Sequence, residues 1–403
     1  MENWKRKVSL FVISQLTTQF GTALVQYGIF WYITLNTRSG AMLTISIIVG
    51  FLPTFLLSPF AGVWSDRFNR KKLIIFSDLG IAITTLILAL VFLAGYKEFW
   101  LLFLISAIRA VGIAVQTPAT NALLPQIVPE DKLLTVNGYM GSATSLMNLF
   151  SPIASAALLT YATFETTLFI DVFTAIVGVS ILLFIKVPTI HAIGVGRVSS
   201  YYDDIKAGFK YIRDKKYIRN LFIYFGLFFF LVSPAAFLTP LQVVRTYGPE
   251  LYRLTALEIA FFLGMTIGGF VIGKWGGLKN LVHTMIAAIL AGGVLHTILG
   301  SKVDFSIYLF IMFIIGGSVI FCNSASTVFL QKTVSEEYYG RVFGVLGMLS
   351  SSMFPLGMLV FGPLADIISI EMILIATGLV VVFEGFIMIR DKELIAAGSS
   401  LDK

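Results

Sequence analysis

Gly62-Val63-Trp64-Ser65-Asp66-Arg67-Phe68-Asn69-Arg70-Lys71-Lys72 sets four cations and one carboxylate into a short connection between two long apolar runs. Cations in such a place obey a simple rule: Lys and Arg collect on the cytoplasmic side of membrane spans. Asp66 does not follow from that rule and points to function. The flanks settle the class. Val8 to Leu35 is 28 residues without a Lys, Arg, Asp, Glu or His, and about 20 apolar residues cross the hydrocarbon core. The whole chain of 403 residues is 57% hydrophobic and 13% charged, with a mean hydropathy of +0.89. A soluble protein carries roughly a quarter charged residues. The composition describes a polytopic membrane protein.

Lys5-Arg6-Lys7 before the first apolar run imitates a secretory signal. The run is too long for a signal core and no small-residue cleavage site follows, so it reads as a first transmembrane helix. One cysteine, Cys322, excludes an intrachain disulfide.

On both sides of the basic hinge, apolar windows of helical length recur, twelve in all, at about 8–35, 41–64, 73–95, 99–121, 133–160, 165–186, 218–244, 255–275, 281–300, 305–330, 342–365 and 370–389. Each is about twice the length of a barrel strand and none alternates. With the N-terminus inside, 23 Lys and Arg fall on the cytoplasmic side and five on the other, while Arg109 lies within a span. That bias sets both termini in the cytoplasm of a multi-pass protein of the cell (inner) membrane. The net charge of +7 is therefore membrane topology, not a nucleic-acid footprint.

The longest polar interruption splits the chain into lobes at 1–187 and 218–403, joined by a linker at 188–217. From Tyr201 to Tyr217, Asp203, Asp204, Lys206, Lys210 and Arg213 alternate with Ile205, Phe209 and Ile212, the pattern of an amphipathic helix on the membrane surface. The halves echo one another. Leu124-Pro125-Gln126-Ile127-Val128-Pro129-Glu130-Asp131 recurs loosely, 206 positions on, as Leu330-Gln331-Lys332-Thr333-Val334-Ser335-Glu336-Glu337, and Gly62-Val63-Trp64 aligns with Gly273-Lys274-Trp275. Parallel repeats of six spans indicate a two-lobed transporter.

At this point the chain resembles the major facilitator superfamily. Gly62-x-x-x-Asp66-Arg67-x-x-Arg70-Lys71-Lys72 and Arg109-x-x-Gly112 look like its first two signature motifs. Val49-Gly50-Phe51-Leu52-Pro53, Gln116-Thr117-Pro118-Ala119-Thr120-Asn121-Ala122, Ile170-Asp171-Val172, Glu258-Ile259-Ala260-Phe261 and Gly340-Arg341-Val342-Phe343 read like segments of bacterial macrolide-efflux proteins in the drug:proton antiporter group. The Gly-Pro-rich antiporter motif of span five is reduced here to Ser151-Pro152-Ile153-Ala154-Ser155. The resemblance implies an all-α membrane protein with twelve transmembrane helices in two six-helix lobes, the major facilitator fold. It implies proton-coupled efflux of hydrophobic or amphiphilic, macrolide-like drugs by alternating access. Export or flipping of a lipid, lysolipid or siderophore is the alternative on the same fold. The expected partners are a small substrate, protons and the lipid bilayer, in a monomer with no cofactor.

Three residue sets follow. Asp66, with Arg67, Arg70 and Asp78, is expected to latch the inner side against the N-terminus of span eleven near Arg341, because a helix N-terminus attracts carboxylates. Asp171 and Arg109 lie roughly 9 and 14 Å from the outer edge at 1.5 Å per residue. Charges at such depth face a cavity or a partner, so the two are expected to pair and couple protons, with Glu258 at the outer mouth of span eight as a weaker candidate. Gln15, Gln19 and Gln26 share one face of span one. With Tyr27, Trp31, Phe229 and Asn323 they outline a pocket of neutral polar points among aromatics, suited to a bulky amphiphile. Glu384 is expected to be water-accessible.

Gly268-x-x-x-x-Gly273-Lys274 imitates a phosphate-binding loop, but Trp275 follows and no strand precedes it. Its glycines, with Gly264, Gly269 and Gly277, instead serve close helix packing. A membrane-embedded enzyme would need His, Cys or carboxylates clustered at one depth. Three scattered histidines and one cysteine argue against an enzyme and against a metal site.

Overall fold

The computed structural model describes residues 4–129, 132–185 and 201–399, except for the side chains at 58, 59, 63, 66, 134, 201–205 and 336. Among the described residues the secondary structure is helical, without a strand. The first six long helices are α1 Trp4–Thr37, α2 Gly40–Arg67, α3 Arg70–Leu93, α4 Phe99–Ile127, α5 Leu133–Tyr161 and α6 Phe164–Leu183. After 186–200, which lie outside the described residues, come α7 Tyr201–Asp214, α8 Lys216–Phe237 and α9 Thr239–Thr246. The chain ends with α10 Leu251–Trp275, α11 Leu281–Leu299, α12 Phe305–Thr333, α13 Tyr339–Leu364, α14 Ile370–Arg390 and α15 Lys392–Ser399. Twelve segments are long and apolar enough to span a bilayer, one for each window read from the sequence.

The seventh window is not one rod. It is broken at Leu238 into α8 and α9. Pro240 sits in the first turn of α9, where a missing N–H costs nothing, whereas inside a continuous helix the ring would clash with the preceding turn. The amphipathic helix ends at Asp214 rather than Tyr217, and the tether part of the linker lies outside the described residues.

Two compact units are present: 1–36 with 45–196, and 37–44 with 197–403. In the first, α3 packs on α4 and α6, over a core that includes Phe11, Ile74, Leu123 and Leu182. Sequence chemistry fixes the ends. Asn69 caps α3 by accepting from the Lys72 amide at 3.1 Å. Lys71 Nζ donates to the carbonyls of Leu183 and Ile185 at 2.9 and 2.8 Å, closing the C-terminus of α6, where the helix dipole favours a cation. One basic residue of the hinge is thereby a helix cap.

In the second unit, α10 packs on α12, α11 on α12 and α14, and α8 on α13, around Phe225, Met285, Phe329 and Val381. Gly264 and Gly316 permit the first of these. A Cβ on Gly264 would collide with the Phe313 carbonyl and one on Gly316 with that of Phe261. Gly268 meets Gly317 in the same way, while Gly273 has open space around it and contributes nothing to the seam.

The turn at 37–44 belongs to the second unit. Asp366 accepts from Ser39 Oγ at 2.7 Å and from the first two amides of α2, Gly40 and Ala41, at 2.8 and 2.9 Å. Arg245 donates to Asp366 at 2.8 Å and to the Arg38 carbonyl through Nε and Nη2 at 3.2 and 2.6 Å. Arg38 has φ 49°, a left-handed conformation uncommon outside glycine. Burial opposes the Asp366 charge, but the hydrogen bonds from Ala41, Ser39, Gly40 and Arg245 outweigh it and hold the carboxyl below its ordinary range.

Candidate functional site

The densest buried charge in the first unit forms where α1, α3, α4 and α6 meet. Arg109 on α4 and Asp171 on α6 are 2% and 1% exposed, and Arg109 Nη1 lies 2.5 Å from Asp171 Oδ2. Thr85 of α3, fully buried, joins them. Its hydroxyl accepts from Arg109 and stands 2.9 Å from both Asp171 Oδ2 and the Ile81 carbonyl. A hydroxyl has one proton to give, so it satisfies one of those acceptors at a time. Arg109 Nη2 also reaches the Thr22 carbonyl of α1 at 3.4 Å.

Local sequence makes this approach possible. Gly21 faces Asp171, and a Cβ there would collide with Thr174 Oγ1 and crowd Asp171 Oδ1 and Cα at 2.9 and 3.0 Å. Gly178, two turns further along the same face of α6, receives Thr18 and the Ser14 carbonyl of α1 in the same manner, and Ser14 Oγ donates to the Gly178 carbonyl at 2.8 Å. Small residues on α1 and α6 therefore bring Asp171 against α1.

Asp78 stands on α3 seven residues before Thr85, on the same helix face, roughly 10 Å away at 1.5 Å per residue. It is buried at 4% exposure, and its Oδ2 has no hydrogen-bond partner among the described residues. Arg70 is anchored by its guanidinium to the carbonyls of Ser65 and Ala122 at 2.9 and 2.8 Å, tying the end of α2 to α4. Arg67 is exposed. The side chain of Asp66 lies outside the described residues. Arg341, near the start of α13, lies over the Tyr338 ring at 5.4 Å.

The expected pocket residues fall into different environments. Gln15 is fully buried, and its Oε1 accepts from Gln116 and Thr120 of α4 at 3.0 and 2.9 Å, so it braces α1 on α4 instead of facing open space. Trp31 is also fully buried, 5.6 Å from the ring of Tyr27. Gln19 and Tyr27 are partly exposed and Gln26 is exposed. In the second unit Phe229 packs with Phe225, Phe228 and Phe354 at 5.4–5.9 Å, and Asn323 is exposed on α12. Glu258 is partly exposed on α10.

Glu384 is not water-accessible. It is 2% exposed, and neither carboxylate oxygen has a partner among the described residues. His296 is buried and 3.2 Å from Thr377 Oγ1. Among the described residues no group of three His, Cys, Asp or Glu could hold a metal ion.

The chain matches the sequence model of the Major Facilitator Superfamily over residues 10–358. It is 29% identical over 384 residues to Macrolide efflux protein A of Streptococcus pyogenes, covering 94% of each chain. It is 30% identical over 322 residues to Macrolide efflux protein A of Enterococcus faecalis, covering 79% of this chain and 99% of that one. Among solved structures, the nucleoside transporter NupG superposes with a TM-score of 0.71 at 16% identity, covering 96% of this chain and 98% of that one, a likeness of fold alone.

Proposed function

Because the chain belongs to the major facilitator superfamily, we propose that it exports macrolide-like hydrophobic or amphiphilic drugs in exchange for protons, by alternating access. That it is a multi-pass membrane transporter of this superfamily is the premise. The exchange, the drug class, the monomeric state and the seat in the cell membrane with both termini cytoplasmic are the proposal. The observation that carries it is the buried Arg109–Asp171–Thr85 cluster. A carboxylate in a dry interior persists as an anion only beside a cation and donors. In the proposed cycle Arg109 draws away from Asp171 in one conformation and a proton takes its place. Thr85 can swing its one O–H hydrogen bond between Asp171 and the Ile81 carbonyl as this happens.

In this scheme Asp171 carries the proton, Arg109 sets its affinity and Thr85 positions both. Glu258 stays a secondary acid at the rim. Asp66, Arg67, Arg70, Asp78 and Arg341 keep the latch role read from the hinge. Gln19, Gln26, Tyr27, Phe229 and Asn323, with Gln15 and Trp31 as supporting residues, keep the substrate role. The macrolide class draws support from the two relatives of that name.

The test is uptake of a radiolabelled macrolide into inside-out vesicles under an imposed acid-interior gradient. The wild type should accumulate the drug and lose it on addition of a protonophore. Asp171→Asn should bind the drug but fail to concentrate it. Gradient-driven accumulation by Asp171→Asn equal to the wild type would remove Asp171 from the scheme. Transport of a lysolipid or a siderophore in place of the macrolide would redirect the substrate assignment and leave the fold and the coupling site standing.

A further inference from the structure

A groove of about 1020 Å³ runs through the second unit between α7, α8 and α13, a volume near the top of the ~300–1,000 Å³ range of small-molecule sites. We propose that it holds one anionic phospholipid, with the phosphate among Lys206, Lys210, Arg213 and Arg219 and an acyl chain laid along Phe222, Gly226 and Phe230 of α8. The site is independent of the drug and of proton exchange, and the proposal stands or falls apart from both.

The two ends of the groove have opposite chemistry. Lys206, Lys210 and Arg213 are spaced four and then three apart on α7, hence on one face, and Arg219 joins them from the first turn of α8. The described residues of the lining include these four cations and no carboxylate. Among the described residues the ion pair in this cluster is Arg213 with Asp214 at 3.9 Å, and both are well exposed. A basic cluster of this size on an amphipathic helix is the recognised chemistry for anionic headgroups.

Beyond the cations the wall is apolar: Phe222, Gly226 and Phe230 on one side, Met348 and Leu349 on the other. Gly226 keeps the groove open, since a Cβ there would already touch Leu349 at 3.4 Å. From Arg219 to Phe230 the groove descends roughly 16 Å at 1.5 Å per residue, about half of a ~30 Å hydrocarbon core and so one leaflet deep. The basic end lies on the side where the sequence gathers its Lys and Arg.

Other occupants fit less well. A cationic amphiphile would meet four like charges at the mouth. The chain's own segment at 186–200 carries Lys186, Arg197 and His191 and no acid, so it is repelled too. A peptide would find almost no hydrogen-bonding wall below the rim, where Ser352 is the one hydroxyl among the described lining residues.

The experiment uses the full chain in mixed micelles containing equal phosphatidylglycerol and phosphatidylcholine, with retained lipid counted by native mass spectrometry. The wild type should retain phosphatidylglycerol in preference by about tenfold. Replacing all four cations by Gln should bring retention to parity, whereas Lys206→Arg with Lys210→Arg should keep the preference. Gly226→Leu, which fills the apolar part and leaves the charges, should lose most retained phosphatidylglycerol. The quenching that a Phe222→Trp reporter adds over the wild type, whose five tryptophans set the background, should be larger with brominated phosphatidylglycerol than with brominated phosphatidylcholine; this reading stands even where the multiple variant misfolds. Parity in the wild type, undiminished retention in Gly226→Leu, or equal quenching by the two lipids would overturn the site. Displacement of the lipid by millimolar inorganic phosphate would also overturn it, making the cations a free-anion site.

Discussion

Arg109 and Asp171 form an ion pair buried where an unpaired charge is costly. Such charges stand out letter by letter in a sequence, and Thr85 does not. Threonine is ordinary in a membrane helix, and its role exists only once α3 lies between α4 and α6. Asp366 was invisible for the opposite reason: an acid in a loop reads as solvated until Ser39, Gly40, Ala41 and Arg245 surround it. Two outcomes follow at this scale. Breaking a buried ion pair costs about 3–5 kcal/mol when one partner is removed, and replacing both by apolar groups can restore it. Arg109→Met should therefore lower the melting temperature in detergent, and Arg109→Met with Asp171→Leu should recover most of it while remaining inactive. For Asp366 the sign runs as for any carboxyl held below its ordinary range. Its stabilisation is complete above the unfolded value and is lost only as pH falls through the lower folded one. Amide exchange at Gly40 and Ala41 should stay slow, after correction for the intrinsic rate, from neutral pH to mildly acid pH. Asp366→Asn should speed it about tenfold or more, in keeping with ~1.5–3 kcal/mol for hydrogen bonds to a charged group.

Helices were readable from hydropathy, their contacts hardly at all. Gly264, Gly268, Gly269, Gly273 and Gly277 look alike in sequence, yet a Cβ on Gly264 strikes the backbone of α12 while one on Gly273 meets nothing. Gly264→Leu should abolish accumulation of folded protein in the membrane. Gly273→Leu should be accepted, and Gly273→Ala should gain a few tenths to ~1 kcal/mol from helix propensity. Fluorescence-detected size exclusion of the three variants checks the contrast. The break at Leu238 was signalled by Pro240, but an apolar window runs across it without a change in hydropathy. What α9 is for shows only in space. Gln242 donates to the Leu299 carbonyl at 2.9 Å and accepts from Tyr308 at 2.8 Å, pinning the short helix to α11 and α12. Tyr308→Phe leaves that buried acceptor bare and should cost ~1–3 kcal/mol, read as an earlier unfolding midpoint.

Taken whole, the molecule shows how far a charge pattern reaches. Twelve spans and a proposed orientation come from hydropathy and the placement of Lys and Arg, both one-dimensional properties. Cys322 is buried and is the chain's one cysteine, which makes the orientation easy to check. Single cysteines placed at Lys97 and at Lys392 should react with an impermeant maleimide from outside and only after permeabilisation, respectively. Which residues form a unit is another matter, since contact and not charge decides it, and the turn at 37–44 sits in the unit encoded after it. That turn has a genetic consequence. A gene cut within codons 188–200 would make a carboxy-terminal polypeptide whose Arg245 and Asp366 have lost the carbonyl, the hydroxyl and the two amides they hold. Supplied alone it should be a target for membrane proteases. Supplied with the amino-terminal polypeptide it should be rescued, with Gly40, Ala41 and the carbonyl of Arg38 as the piece delivered in trans.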